Sequence, residues 1–370
     1  MQEKTYKMNK IIYLDAAASA LKPESVILSE ESFLRDMYAN AGRGICARAM
    51  AVDEMVAATR RAVAEFMNAA SDNIVFTSGA TDGLNRVCHI IGGAPNLHVG
   101  VSALDHHSAR LPWVAAGCKI TECPLDASMN IDVRAIPNVD VLVITAMSNV
   151  LGCAQDVAAI VRAARAKNPN VITVVDAAQY VAHDKIDVID WDADFVCWSA
   201  HKIGADTGLG IMYIKNPNRF RPDKFGGGMV NRVNADGTFT IQPAPDCWEA
   251  GTLPLTQIAG LMAAIENISL HRPDMELIKY MYDALSKNPR IKILTSRDAA
   301  ILSFVISDMH VLDFGALVGA RGLCLRVGNM CATWIHNYLG ITGCARLSVG
   351  PYNTMSDAAG AVDIINSVVK

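Results

Sequence analysis

The chain has 370 residues, 51% apolar and 19% charged, with a net charge of -4, enough for a large core and two domains. No run of Lys or Arg offers itself to nucleic acid or an anionic membrane. The opening MQEKTYKMNK lacks the apolar core of a signal peptide, and no apolar run nears the ~20 residues that span a bilayer, so a cytoplasmic protein is expected.

The ten cysteines form no CxxC pair and no Cys/His ligand spacing. Several lie inside apolar runs, such as Cys197 in DFVCWS and Cys324 in LCLRV. They read as small core residues of a reducing compartment, with neither a disulfide framework nor a metal site.

Strand-like and helix-like segments alternate, which predicts an α/β fold with a mainly parallel sheet. After the extended IIYLD, Pro23-Glu24 opens a helix to about Tyr38, and a loop from Asn40 to Gly44 precedes a helix over about Arg48 to Asn68. NIVFTSGATDGLN reads as strand, tight turn through Ser78-Gly79, then helix from about Ala80. That helix start is a natural phosphate seat, although taken alone it is equally an ordinary capped helix. HVGVS is a strand ending near His106, and VDVLVITA is another, followed by Asn149. A loop histidine and a turn asparagine account for both residues when each is weighed singly.

A helix from about Gln155 to Lys167 leads to two short β-branched runs, VITVVDAAQ and DFVCWSAHK. Each breaks sharply into polar residues, as a buried parallel strand does at its carboxyl end, where ligands bind in open α/β sheets. They deliver Asp176, Gln179, Ser199, His201 and Lys202 to that edge. An acid, an amide and a lysine there suit pyridoxal 5'-phosphate (PLP), the lysine forming the Schiff base and the acid pairing with the pyridinium nitrogen. DTGLGIMYIK is a further strand, a hairpin turns at Asp236-Gly237, and a long helix covers about Pro254 to Leu270. From about Arg290 the texture becomes that of a compact α+β unit. The expected domains are an N-terminal segment 1–20 packing near the small domain, a large domain 21–265 and a small domain 266–370.

In order and residue type, YLDAAASALKP, GRGI, TSGATDGLN, DHHSARLPW, SNVLG, VVDAAQ, SAHK, TGLGIMY, FGGGM, WEAGT, RVGNMCA and ARLSVGPYNT resemble the class V aminotransferase-like, fold-type I PLP enzymes. The likeness covers nearly the whole chain and is strongest to cysteine desulfurases of the Suf type (group II), with selenocysteine lyases near them. It implies the PLP-dependent transferase fold, with Lys202 as the Schiff-base lysine, Asp176 on the ring nitrogen, Gln179 on the ring oxygen and His106 stacked on the ring. Ala80 N–H, Thr81, Ser199 and His201 would hold the phosphate, and Thr252 would reach the neighbouring site of a homodimer. Asn149, also a cofactor contact, would bind the substrate carboxylate with Arg346 and Arg326. Cys331, between a glycine turn and an expected helix start, would take the sulfur of L-cysteine as a persulfide and leave L-alanine, for delivery to an acceptor protein in iron–sulfur or related sulfur metabolism.

The chain departs from this pattern where Asn329 and Met330 replace the two histidines before the cysteine, and where Gly42 replaces the histidine before Arg43-Gly44. Selenocysteine lyase, transaminase, epimerase and C–S lyase chemistry are the alternatives on the same scaffold.

Overall fold

The computed structural model describes residues 11–42 and 44–370. Residues 1–10 of the expected N-terminal segment, and Arg43 of GRGI, lie outside the described residues. The chain forms two compact units. One comprises the described residues up to Leu21 together with Ser148–Cys153 and Arg272–Lys370; the other comprises Lys22–Met147 and Ala154–His271.

Strand β1 (Ile12–Tyr13) opens the first unit. Helix α1 (Glu24–Ser32), entered from Pro23 and prolonged by a π turn over Phe33–Met37, begins the second. Its other helices are α2 (Ala47–Phe66), α3 (Ala80–Ile91), α4 (His107–Ala115), α5 (Val157–Lys167), the single turns α6 (Tyr180–His183) and α7 (Val188–Trp191), and α8 (Leu255–Leu270). Between them run β2 (Ile74–Thr77), β3 (His98–Ser102), β4 (Lys119–Cys123), β5 (Val141–Thr145), β6 (Ile172–Asp176), β7 (Phe195–Ser199) and β8 (Gly210–Ile214). These seven strands form one sheet in the order β2-β8-β7-β6-β5-β3-β4. A separate hairpin pairs β9 (Val230–Val233) with β10 (Phe239–Ile241).

Alternation along the strands explains the layers. In β5, Val141 and Val143 join one apolar cluster while Leu142 and Ile144 join the other. The first cluster includes Leu84 and Val87 of α3 and Trp113 of α4; the second includes side chains of α2, α5 and α8. Both faces are therefore covered, which is why the strands read as continuous apolar runs.

The sheet is mixed. β3, β4, β5, β6 and β7 pair in parallel, whereas β8 runs antiparallel to both β7 and β2. A parallel return needs a crossover of about a dozen residues or more, and the stretch from Ser199 to Gly210 is too short, so the chain doubles back. Lys202 lies on that reversal.

The first unit continues through α9 (Met275–Leu285), β11 (Ile291–Ile293), β12 (Leu302–Ile306), α10 (Val311–Gly319), β13 (Leu323–Cys324), β14 (Arg326–Gly328), α11 (Thr333–Tyr338), β15 (Cys344–Leu347) and α12 (Met355–Val368). A four-stranded antiparallel sheet, β11-β12-β15-β14, packs around Phe304, Leu302, Leu347 and Phe314, while β1 pairs with β13. Thr354 opens α12 with a reciprocal capping box to Asp357.

Candidate active site

The parallel strands of the second unit place the expected cofactor residues at their carboxyl edge. Asp176 closes β6 and is 5% exposed. Burial raises the pKa of its carboxyl, while the Ala178 N–H at 2.9 Å and the charge of Lys202 pull it back down. A buried carboxylate of this kind gains from a cationic partner, which a pyridinium N–H provides. Gln179 is buried just beyond it, and Lys202 stands on the 3-10 turn Ala200–Ile203.

Two glycines let the backbone close in at the start of α3. Gly79 takes φ +152°, and a Cβ on Gly210 would lie 2.4 Å from Gly79 Cα and 2.7 Å from Trp198 O. A cavity of about 460 Å³ opens there, lined by Ser78, Gly79, Thr81, Ser199, His201 and Gly208, among others. Burial and the nearby Lys202 and Lys22 charges push His201 down to about 4, so near neutral pH its imidazole is uncharged. The helix start, the hydroxyls and this imidazole suit a phosphate. Together with the Asp176–Lys202 pair, these residues fit PLP.

Three details stand beside the expectation. The Ala80 N–H, assigned to the phosphate, donates to Ser199 Oγ at 2.8 Å. Ser108, not foreseen, stands between two assigned residues: its Oγ is 2.7 Å from Thr81 Oγ1 and 3.1 Å from His106 Nδ1, and its N–H donates to that same Nδ1. Thr252 lines a different cavity of the same unit, about 650 Å³ in volume, with Asp53, Arg60 and Glu249.

The first unit gathers the residues assigned to the substrate. Arg346, 3% exposed on β15, donates through Nη1 to Asn149 O at 2.8 Å and through Nη2 to Asp15 Oδ1 at 3.3 Å. Its Nε has no partner among the described residues. Burial lowers the Arg346 pKa, and Asp15 works against that shift. Arg326, directly opposite Arg346 in the β14–β15 register, donates to Asp15 Oδ2 at 2.6 Å. Two guanidiniums sharing one carboxylate leave a net positive charge, which suits one further carboxylate. Asp15 lies in YLDAAAS, but nothing in that motif announces a partner hundreds of residues away.

Asn149 also donates from Nδ2 to Met330 O at 2.8 Å, which places it against the Cys331 loop. Cys331 is exposed. It does not stand at the helix start: α11 begins at Thr333 and is six residues long, so helix-dipole help for the thiolate is not supported. Instead Met330 and Cys331 both take left-handed backbone, φ +50° and +53°. Each such residue costs on the order of 1–2 kcal/mol, which the surrounding hydrogen bonds must offset.

The sequence matches the family Aminotransferase class-V over residues 12–359. The cysteine desulfurase CsdA of Escherichia coli is 33% identical over 97% of this chain and 94% of its own length. The cysteine desulfurase of Pectobacterium carotovorum is 31% identical over 94% of this chain and 90% of its own. Among solved structures, that of the E. coli CsdA superposes with a TM-score of 0.88 over 96% of this chain and 94% of the other. A cysteine desulfurase from Thermococcus onnurineus superposes at 0.91 with 27% identity over 97% of this chain and 94% of the other.

Proposed function

The chain belongs to the class-V aminotransferase family, and on that premise we propose that it is a PLP-dependent cysteine desulfurase converting L-cysteine to L-alanine. The observation that carries the reading is the exposed Cys331 on a loop tied through Asn149 to the buried Arg346. A cysteine so presented, beside a guanidinium pair with one net charge to satisfy, is equipped to meet the sulfur of a carboxylate-bearing amino acid.

When bound, PLP supplies an electron sink for the charge left at the substrate Cα. Lys202 would anchor the cofactor, and its Nζ would carry the Cα proton. Asp176 would hold the ring nitrogen, Gln179 the ring oxygen, and His106 would lie against the ring. Thr81, Ser199 and His201 would receive the phosphate. Arg346, with Arg326 and Asn149 in support, takes the substrate carboxylate. The Cys331 thiolate attacks the substrate sulfur: the S–S bond forms, the Cβ–S bond breaks, and its electron pair stays with the carbon skeleton, which leaves as alanine after protonation. Cys331 retains the sulfur as a persulfide for an acceptor protein or a thiol reductant. The enzyme works as a cytoplasmic homodimer in which Thr252 serves the neighbouring site. Of its described helices, none is long and apolar enough to cross a membrane.

Asn329 and Met330 favour a second reading, selenocysteine lyase or another PLP reaction, because neither side chain can shuttle a proton to Cys331. The test is turnover of L-cysteine by the PLP-loaded protein with a thiol present. Alanine and sulfide are expected, and Cys331→Ala abolishes their formation while the cofactor absorbance persists. Undiminished turnover in that variant removes the persulfide role.

A further inference from the structure

Cys331 is flanked by two carbonyls, each held by a side chain of the same unit. On one side Met330 O accepts from Asn149 Nδ2. On the other, His336 Nδ1 is 2.9 Å from Ala332 O. A carbonyl can only accept, so Nδ1 carries the proton. The second ring nitrogen, Nε2, meets Cys344 Sγ at 3.5 Å. Burial pushes the Cys344 thiol up to about 11, so its sulfur stays protonated beside Nε2. The two contacts fix the orientation of the ring, with Nδ1–H on Ala332 O and Nε2 toward Cys344. Both residues are buried, His336 at 1% and Cys344 at 0% exposure, and neither has a part in the chemistry above.

We infer that His336 is a positioning residue for sulfur transfer: oriented by Cys344, it holds the Ala332 carbonyl and, with Asn149, keeps Cys331 in its left-handed conformation with the thiol presented outward. This rests on Cys331 being the nucleophile. Asn149 O also receives Arg346 Nη1, so the substrate-carboxylate anchor and the nucleophile loop share one residue. The side chains of Asn329 and Met330 leave Cys331 without a histidine beside it. The loop is instead held by a histidine on α11, packed beneath it.

Three substitutions separate this role from general stability. His336→Asn keeps an N–H donor where Nδ1 stands, His336→Gln places one where Nε2 stands, and His336→Leu has none. In the PLP-loaded protein, Leu and Gln are expected to lower kcat roughly 10- to 100-fold, the cost of a misplaced reacting group, with KM near that of the parent. Amide exchange over residues 329–333 should accelerate in the same two variants. Asn should restore both readouts. The inference is overturned if Asn falls as far as Leu, or if Leu and Gln leave kcat and exchange unchanged. Should Leu fail to fold, the Asn–Gln comparison decides. Exchange is read without turnover, so a parent protein inactive on L-cysteine would sink the desulfurase reading while exchange still decides whether the clamp exists.

Discussion

Asp105 illustrates how one buried carboxyl can write itself into the stability of the protein. It is fully buried after β3, accepting from Ser102 N–H at 2.8 Å, from Ser102 Oγ at 3.1 Å and from Thr145 Oγ1 at 2.8 Å. These bonds tie the ends of β3 and β5 together immediately before His106. Burial nevertheless pushes its carboxyl up to about 6. A raised carboxyl pKa means that the folded protein holds the proton longer than the unfolded chain. Its contribution is therefore complete below about pH 4 and is lost as pH rises through about 6, on the order of 3 kcal/mol in total. Asp105→Asn keeps the shape without the titration. Urea unfolding at several pH values should show the parent losing stability relative to this variant between about pH 4 and about pH 6. Parallel curves would mean that Asp105 is ionised in the fold at the lower pH.

At the scale of elements, the proposed cofactor seat depends on how closely β8 approaches the start of α3. Gly210 stands opposite both Thr77 of β2 and Ser199 of β7 in register, and Gly79 lies against it. The obstacles to a Cβ at position 210 are backbone atoms, which cannot rotate away. Gly210→Ala is expected to cost about 1–3 kcal/mol, the range for forcing extra volume into a packed site. It should also weaken PLP retention, because relief of the clash moves Gly79 and the phosphate-facing turn. Thermal unfolding and cofactor titration check the two effects, and full PLP affinity in a destabilised variant would separate the seat from this contact. The hairpin β9–β10 shows the opposite case: Asp236-Gly237 specified its turn locally, and both its strands are largely exposed.

At the scale of the whole molecule, long-range ion pairs join pieces that the sequence holds far apart. Arg86 of α3 makes a bidentate pair with Asp223, both side chains 4% exposed, and its Nη2 also donates to Trp248 O. Arg60 of α2 makes a second bidentate pair with Glu249, whose Oε1 also accepts the Phe76 N–H. These bracket the segment that carries the β9–β10 hairpin. Removing one partner leaves a buried charge unpaired, so Arg86→Leu should cost about 3–5 kcal/mol, whereas the double variant with Asp223→Leu should recover much of that loss. Denaturant unfolding of the four proteins measures the coupling, and additive losses would show that the pair is not a unit. The first unit is discontinuous as well: β1 pairs with β13, and Ser303 Oγ donates to Val150 O.

By itself the sequence determined the order and type of most elements and the residues at the carboxyl edge of the large sheet. It could do so because periodicity, caps and strand-end breaks are local signals: VITVVD and FVCWS lie where two buried strands end, and Pro23, Gly79 and Asp236-Gly237 lie at turns and helix starts. The short link from Ser199 to Gly210 also carried the reversal of β8, although alternation alone read the sheet as mainly parallel. Only the tertiary structure decided which polar groups meet. Asp15 and Arg346 are 331 positions apart, and Asn149 and Met330 are 181 apart. All four residues belong to the first unit, and their pairing depends on side chains converging as that unit folds, which leaves no periodic trace in either stretch. The same holds for His336 and Cys344, which read singly as a helix histidine and a core cysteine and acquire a joint role only beneath the Cys331 loop.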